Sequence, residues 1–227
     1  MTHYRKHIPA AILSAVVALV LWMPVGFAEA QAVAGRQWKY ALRDGGATIT
    51  GCVEEPCGDL VIPGELDGYA VTGIGDCAFS YCTDLTGVTL PDSVTSIGDR
   101  AFDSCTSLSR LTLPVGLTSI GWAAFVACSS ITNVVIPSGV TTIQDLTFKN
   151  CISLADITFP EGMTHIGAES FWGCESLTSV TIPKSMLSIQ SYAFGFCPSL
   201  TDIDIPDDIA DLINAETFSL GDPTRGY

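Results

Sequence analysis

The chain has 227 residues, 48% of them hydrophobic and 15% charged, and 10 Lys and Arg stand against 24 Asp and Glu for a formal net charge of −14. Such a surface repels phosphate backbones and anionic lipid, so nucleic acid is excluded as a partner. The first 30 residues read as an export signal. Arg5 and Lys6 form a positive start, Ala10 to Met23 an apolar stretch, Pro24 and Gly26 break it, and Ala28-Glu29-Ala30 is a small-residue cleavage site before Gln31. The rival reading is an uncleaved anchor, since the apolar run approaches spanning length when extended to Phe27. Cleavage takes Lys plus Arg from 10 to 8 and Asp plus Glu from 24 to 23, a mature balance of −15, and no membrane contact is expected afterwards.

Residues 31–70 read as an N-terminal cap. Within it Trp38 to Leu42 and Ala47 to Gly51 flank Asp44-Gly45-Gly46, a hairpin signal with glycines where positive φ is needed. Between Pro63 and Val71 lie five residues more than between Pro91 and Val94, so Gly64 to Ala70 is expected to form an enlarged loop in an atypical first rung.

Residues 71–220 are governed by a period. Phe79, Phe102, Phe125, Phe148, Phe171 and Phe194 follow one another at 23 residues, each with a cysteine three positions on: Cys82, Cys105, Cys128, Cys151, Cys174 and Cys197. Pro91, Pro114, Pro137, Pro160, Pro183 and Pro206 keep the same step. A fixed period of this size predicts a solenoid of stacked units, because one unit cannot bury its own apolar edge. In the clearest unit Leu85, Val88 and Leu90 carry the in-and-out alternation of a short strand. Pro91, with no N–H to give a ladder, turns the chain out of the sheet. Val94 and Ile97 point inward again, Gly98 or its Gln counterpart marks a turn, and the Ala101-Phe102 pair is expected in one helical or 3-10 turn. At the far end Phe218 comes 24 residues after Phe194 and Gly221 stands where the cysteine would be, so the last rung is incomplete and 221–227 is a tail. Asp202, Asp204, Asp207, Asp208, Asp211 and Glu216 supply the polar cover a terminal repeat needs.

The unit resembles the 23-residue BspA-like leucine-rich repeat of bacterial surface and secreted proteins, on Leu85-x-x-Val88-x-Leu90-Pro91 and Ala101-Phe102-x-x-Cys105, over roughly Leu60 to Leu220. The resemblance implies a mainly β leucine-rich-repeat right-handed solenoid with a parallel sheet on its concave side. It also implies adhesion or ligand capture outside the cell.

Nine cysteines in an exported chain would ordinarily suggest a disulfide framework. Six of them recur beside the periodic phenylalanine, where cysteine serves as a small buried apolar residue, so Cys82, Cys105, Cys128, Cys151, Cys174 and Cys197 are read as a ladder of buried thiols. Cys52 and Cys57 bracket a turn-like spacer outside the period and are the disulfide candidates; Cys77 is read as exposed, either a lone thiol or a partner for one of them. No second matched pair supports zinc, and no D-x-[DN]-x-[DN]-G loop supports calcium. No catalytic motif is present, and His165, the single histidine after cleavage, takes the place of Ser96, Ser119, Thr142 and Ser188 and reads as a surface substitution. Neither metal nor cofactor is expected, and the chain is read as no enzyme.

Recognition would have to live in positions that vary. Thr89, Thr112, Val135, Thr158, Thr181 and Asp204 form the outward column between the inward strand residues; two residues earlier run Gly87, Arg110, Asn133, Asp156, Ser179 and Asp202. Together they are expected to pave the concave face, the second column with its changing charge and size being the better recognition surface. Trp122, Trp172, Tyr192, Phe196 and Tyr81 vary between units and read mainly as edge packing. The chain is therefore read as an exported, non-enzymatic module, secreted or at the cell surface, binding an extracellular protein or glycan, a basic one suiting its charge; a structural envelope component without a dedicated ligand is the alternative.

Overall fold

The computed structural model describes residues 38–212 and Thr217; the export segment, residues 31–37, Phe218 and the tail lie outside the described residues. Strand β1 (Trp38–Arg43) turns through Asp44 and Gly45, both at positive φ of 49° and 81°, into antiparallel β2 (Gly46–Cys52), the turn that the Asp-Gly pair encodes. After β3 (Gly58–Val61) the segment expected as a plain loop is a second hairpin, β4 (Glu65–Leu66) against the start of β5 (Tyr69–Ile74), turned by Asp67 and Gly68 at φ 53° and 87°. Tyr40 Oη donates to Asp67 Oδ2 at 2.5 Å and ties the two hairpins together.

Two short strands then recur per rung. They are β6 (Leu85–Thr89) and β7 (Ser96–Ile97), β8 (Arg110–Thr112) and β9 (Ser119–Ile120), β10 (Asn133–Val135) and β11 (Thr142–Ile143), β12 (Asp156–Thr158) and β13 (His165–Ile166), and β14 (Ser179–Thr181) and β15 (Ser188–Ile189). Strand β16 (Asp202–Asp204) and a 3-10 helix over Asp207–Leu212 close the stack. Like strands pair in parallel from rung to rung, so the chain is a mainly β parallel solenoid of about seven turns with almost no helix. A first face is built from β3, β6 and β8, then β10 with β12, then β14 with β16. A second sheet, not foreseen in the sequence, joins β2, β5, β7 and β9, then β11, β13 and β15. Its strands are two residues long in the regular rungs, too short to show alternation. The proline between the two strands works through its carbonyl: Pro91 accepts from the Val94 amide at 3.0 Å, and Pro114, Pro137 and Pro160 repeat that turn at the same distance.

The interior stacks each residue on its own copy. The rings of Phe79, Phe102, Phe125, Phe148, Phe171 and Phe194 are buried with neighbouring centroids 5.2–5.5 Å apart. The helical turn expected around each Ala-Phe pair is absent. Instead the amides of Cys77, Phe79 and Tyr81 donate to Asp99, Ala101 and Asp103 of the next rung at 2.7–2.9 Å, while those of Ala78, Ser80 and Cys82 close turns onto Gly75, Cys77 and Phe79. A helix would aim every amide along its own axis; here they alternate. Left-handed residues on either side of the phenylalanine make this possible: Cys77, Arg100, Ala123, Leu146, Glu169 and Tyr192 before it, and Tyr81, Ser104, Ala127, Asn150, Gly173 and Phe196 after it, all at φ between 52° and 75°. Eleven of these twelve are not glycine, so the rung-to-rung hydrogen bonds hold L-residues in a conformation they disfavour.

Candidate binding surface

Residues of the first face stand in the register that the repeat implies. Gly87 pairs with Arg110 and Thr89 with Thr112, Asn133 with Asp156 and Val135 with Thr158, and Ser179 with Asp202 and Thr181 with Asp204. All but Gly87 are exposed, whereas the residues between them, Val88, Val134, Ile157 and Val180, are buried. Both columns reach one strand further back, to Asp59 and Val61 of β3. Gly87 has a reason to lack a side chain: a Cβ there would sit 2.5 Å from Asp59 Oδ1 and 3.2 Å from Arg110 Nε. Its absence lets the Arg110 guanidinium cross a rung to bond Asp59, whose carboxylate also accepts from Thr86 Oγ1 at 3.1 Å. Arg110 chiefly, then Thr86, holds the Asp59 carboxyl below its usual range. With that cation matched, Asp156, Asp202 and Asp204 leave the far end of the face acidic.

The second sheet carries a system that the sequence reading passed over. Asp76 Oδ1 accepts from the Asp99 amide at 2.9 Å, Asp99 Oδ1 from the Trp122 amide at 2.8 Å and Asp145 Oδ1 from the Ala168 amide at 2.8 Å. Each such carboxylate lies over a glycine of the following rung. A Cβ on Gly98, Gly121 or Gly167 would come within 2.4–2.6 Å of the Oδ1 of Asp76, Asp99 or Asp145 respectively. Where the aspartate is missing the glycine is missing too: Trp122 precedes Gln144, and Ala168 precedes Gln190. Aligning each unit with its successor would have exposed this pairing; reading columns singly hides it. A recess of about 750 Å³ opens over this sheet, lined among others by Arg43, Asp44, Asp76, Asp99, Trp122 and Gln144, and one of about 490 Å³ continues it past Gln144 to Gln190.

The thiol ladder has a hydrogen-bond role as well as a packing one. The Sγ of Cys105 and of Cys128 each lies 3.0 Å from the carbonyl of Phe79 and Phe102 in the preceding rung, and Cys151, Cys174 and Cys197 repeat the contact at 3.2–3.4 Å. Burial pushes the Cys105 thiol up to about 12 and those of Cys82 and Cys197 to about 11, with Cys128, Cys151 and Cys174 also driven well above the ordinary 9.0. Cys52 is half-buried and likewise raised to about 11, while Cys57 and Cys77 are exposed; all three stand as free thiols. His165 is exposed in the second sheet, its Nδ1 2.8 Å from Thr164 Oγ1, with Thr142 and Ser188 as its lateral neighbours. Among the described residues no cluster of His, Cys, Asp and Glu is arranged to hold a metal ion. Of the aromatics, Trp172 is half-buried, stacked on Phe196 at 5.5 Å and covered by Lys149 Nζ at 4.8 Å, whereas Trp122 is exposed and lies under the Arg100 guanidinium at 4.6 Å.

The BspA type leucine rich repeat region matches residues 67–174 and 141–221 in six copies. The chain belongs to that family. It is similar to the leucine-rich repeat protein TpLRR of T. pallidum, at 32% identity and TM-score 0.73 over 78% of this chain and 84% of that one. It is similar also to a leucine-rich cell surface protein of Faecalibacterium prausnitzii, at 28% identity and TM-score 0.65 over 78% of this chain and 55% of the other. The pneumococcal vaccine antigen PcpA shares the fold, at 20% identity and TM-score 0.62 over 79% of this chain and 51% of that one. No curated protein matches the chain. The family is one of bacterial surface proteins whose repeats serve generally as non-catalytic scaffolds.

Proposed function

We propose that the chain is an exported, non-enzymatic binding or adhesion module that contacts an extracellular protein or glycan through the outward columns of its first face. One observation carries this reading. Arg110, Asn133, Asp156, Ser179 and Asp202 stand exposed in one column and change charge and size at every rung, on strands whose buried residues hardly change. A surface needed only for solubility has no reason to differ in kind between adjacent rungs, and fold alone does not assign a ligand. The acidic end of the column suits a basic partner, and the surface location of the family suits capture outside the cell.

The test is a screen of extracellular matrix proteins and glycans with the exported protein, repeated on a variant with Arg110, Asn133, Asp156 and Asp202 all changed to alanine. These side chains are exposed, so thermal stability should hold while binding weakens, and affinity for a basic partner should fall with salt as charges are screened beyond about 8–10 Å. Binding unaffected by the quadruple change would remove the first face from consideration. No ligand at all in the screen would favour a structural envelope role.

A further inference from the structure

The repeat is broken in one place where both strand ladders also open. On the second sheet the Thr118 and Gly121 amides donate to Thr95 and Ile97 of the rung before, at 2.9 and 2.8 Å, yet Thr141 and Gln144 one rung later have no such bond, and β9 does not pair with β11. On the first face β8 does not pair with β10, between the same two rungs. That seam is where Trp122 takes the aspartate's place and Gln144 the glycine's. The exchange forfeits a hydrogen bond: Asp99 caps the Trp122 amide, but Trp122 has no oxygen for the Asp145 amide, which is left without a partner among the described residues. Gained in return are an indole and a side-chain amide in the recess. Trp122 is 37% exposed, and the Gln144 side chain is exposed without a hydrogen-bond partner among the described residues. Local rules broken at the cost of a bond, with no packing gained, are the mark of a functional position.

The geometry points to this recess as a binding site for an uncharged oligosaccharide. Trp122 offers a flat apolar face for the C–H side of a sugar ring, its orientation held by the Arg100 guanidinium 4.6 Å from the ring centroid. Around it stand groups that exchange hydrogen bonds with hydroxyls: the Gln144 amide, the Ser96 and Ser119 hydroxyls, which have no partner among the described residues, and the second carboxylate oxygens of Asp76 and Asp99. Asp44, Asp76 and Asp99 against Arg43 make the recess net acidic, which turns away sialylated, sulfated and uronate-bearing chains. The site lies on the second sheet, apart from the columns of the first face, and goes beyond the function proposed above.

The test is an array of uncharged gluco-, galacto-, manno- and N-acetylhexosamine oligosaccharides beside sialylated and sulfated ones, probed with the full chain and followed by calorimetric titration of the best uncharged binder. An uncharged oligosaccharide should bind and its acidic counterparts should not. Trp122→Asp restores the repeat, returning an acceptor to the Asp145 amide, so its Tm should equal or exceed that of the parent while binding weakens by more than about tenfold, the scale for removing an aromatic anchor. The quadruple alanine variant of the first face should bind the same sugar unchanged, which separates this site from the other. Three results would overturn the assignment: no uncharged oligosaccharide bound, binding that survives Trp122→Asp, or a Trp122→Asp protein whose Tm falls and so shows the indole to be structural.

Discussion

The turn side and the second-sheet side of a single rung treat repetition in opposite ways. Around the phenylalanine every residue stacks on its own copy, so Phe125 lies between Phe102 and Phe148 with both centroids at 5.3 Å and interplanar angles of 2° and 5°. On the second sheet the contact is between unlike residues, the aspartate of one rung and the glycine of the next. Like-on-like packing permits no exception, since changing one ring spoils two interfaces. A coupled pair can be exchanged together, and the chain does so at Trp122 with Gln144 and at Ala168 with Gln190.

The largest effect should come from breaking the like-on-like side. Phe125→Ala empties a fully buried aromatic site and should cost about 3–5 kcal/mol in chemical denaturation. The same change at Phe79, which has one stacked neighbour within the repeat rather than two, should cost less, and equal losses would show that the stack contributes nothing beyond burial. The thiols that line this side give a pH test of the same packing. Folded thiols at about 11 to 12 keep their protons while those of the unfolded chain ionise near 9.0, so they favour the folded state fully below that value and the advantage is lost as pH rises from about 9 towards 12. Stability should be flat in this respect near neutrality and fall above pH 9. Alkylation of the native protein should label Cys57 and Cys77, with the six-rung ladder modified only after unfolding; mass spectrometry finding Cys105 joined to Cys128 would break the ladder reading.

The coupled side predicts intermediate effects. Gly121→Ala drives a Cβ to 2.5 Å from Asp99 Oδ1 and 2.6 Å from its amide nitrogen, and should cost about 1–3 kcal/mol, with part recovered when Asp99 is also changed to alanine. A double mutant no better than the single one would leave the backbone contact alone responsible. Smaller still is a gain. Ser170 occupies the small-residue column of Ala101 and Ala124, and its buried Oγ has no partner, so Ser170→Ala should raise stability by about 1 kcal/mol in thermal or chemical melts. Thr112→Ala, on the exposed face, should stay within about 0.5 kcal/mol of zero.

The sequence by itself determined the period, the solenoid, the buried phenylalanine and cysteine columns and the outward columns of the first face. These follow from composition at one spacing, because a stacked unit must present the same residue to its neighbour at every buried position. The first hairpin was legible for a local reason, Asp44-Gly45 being a turn pair between two strands. Tertiary structure alone decided the rest. A two-residue strand such as Ser96–Ile97 exists through its neighbours above and below, with no alternation of its own to announce it. Left-handed residues such as Arg100 and Leu146 carry no glycine signal, since inter-rung hydrogen bonds and not local preference hold them there. The pairing of Asp99 with Gly121, and the gap that Trp122 and Gln144 open in it, lives between units. A carboxylate's need for space above a glycine becomes visible only when one rung is set on another.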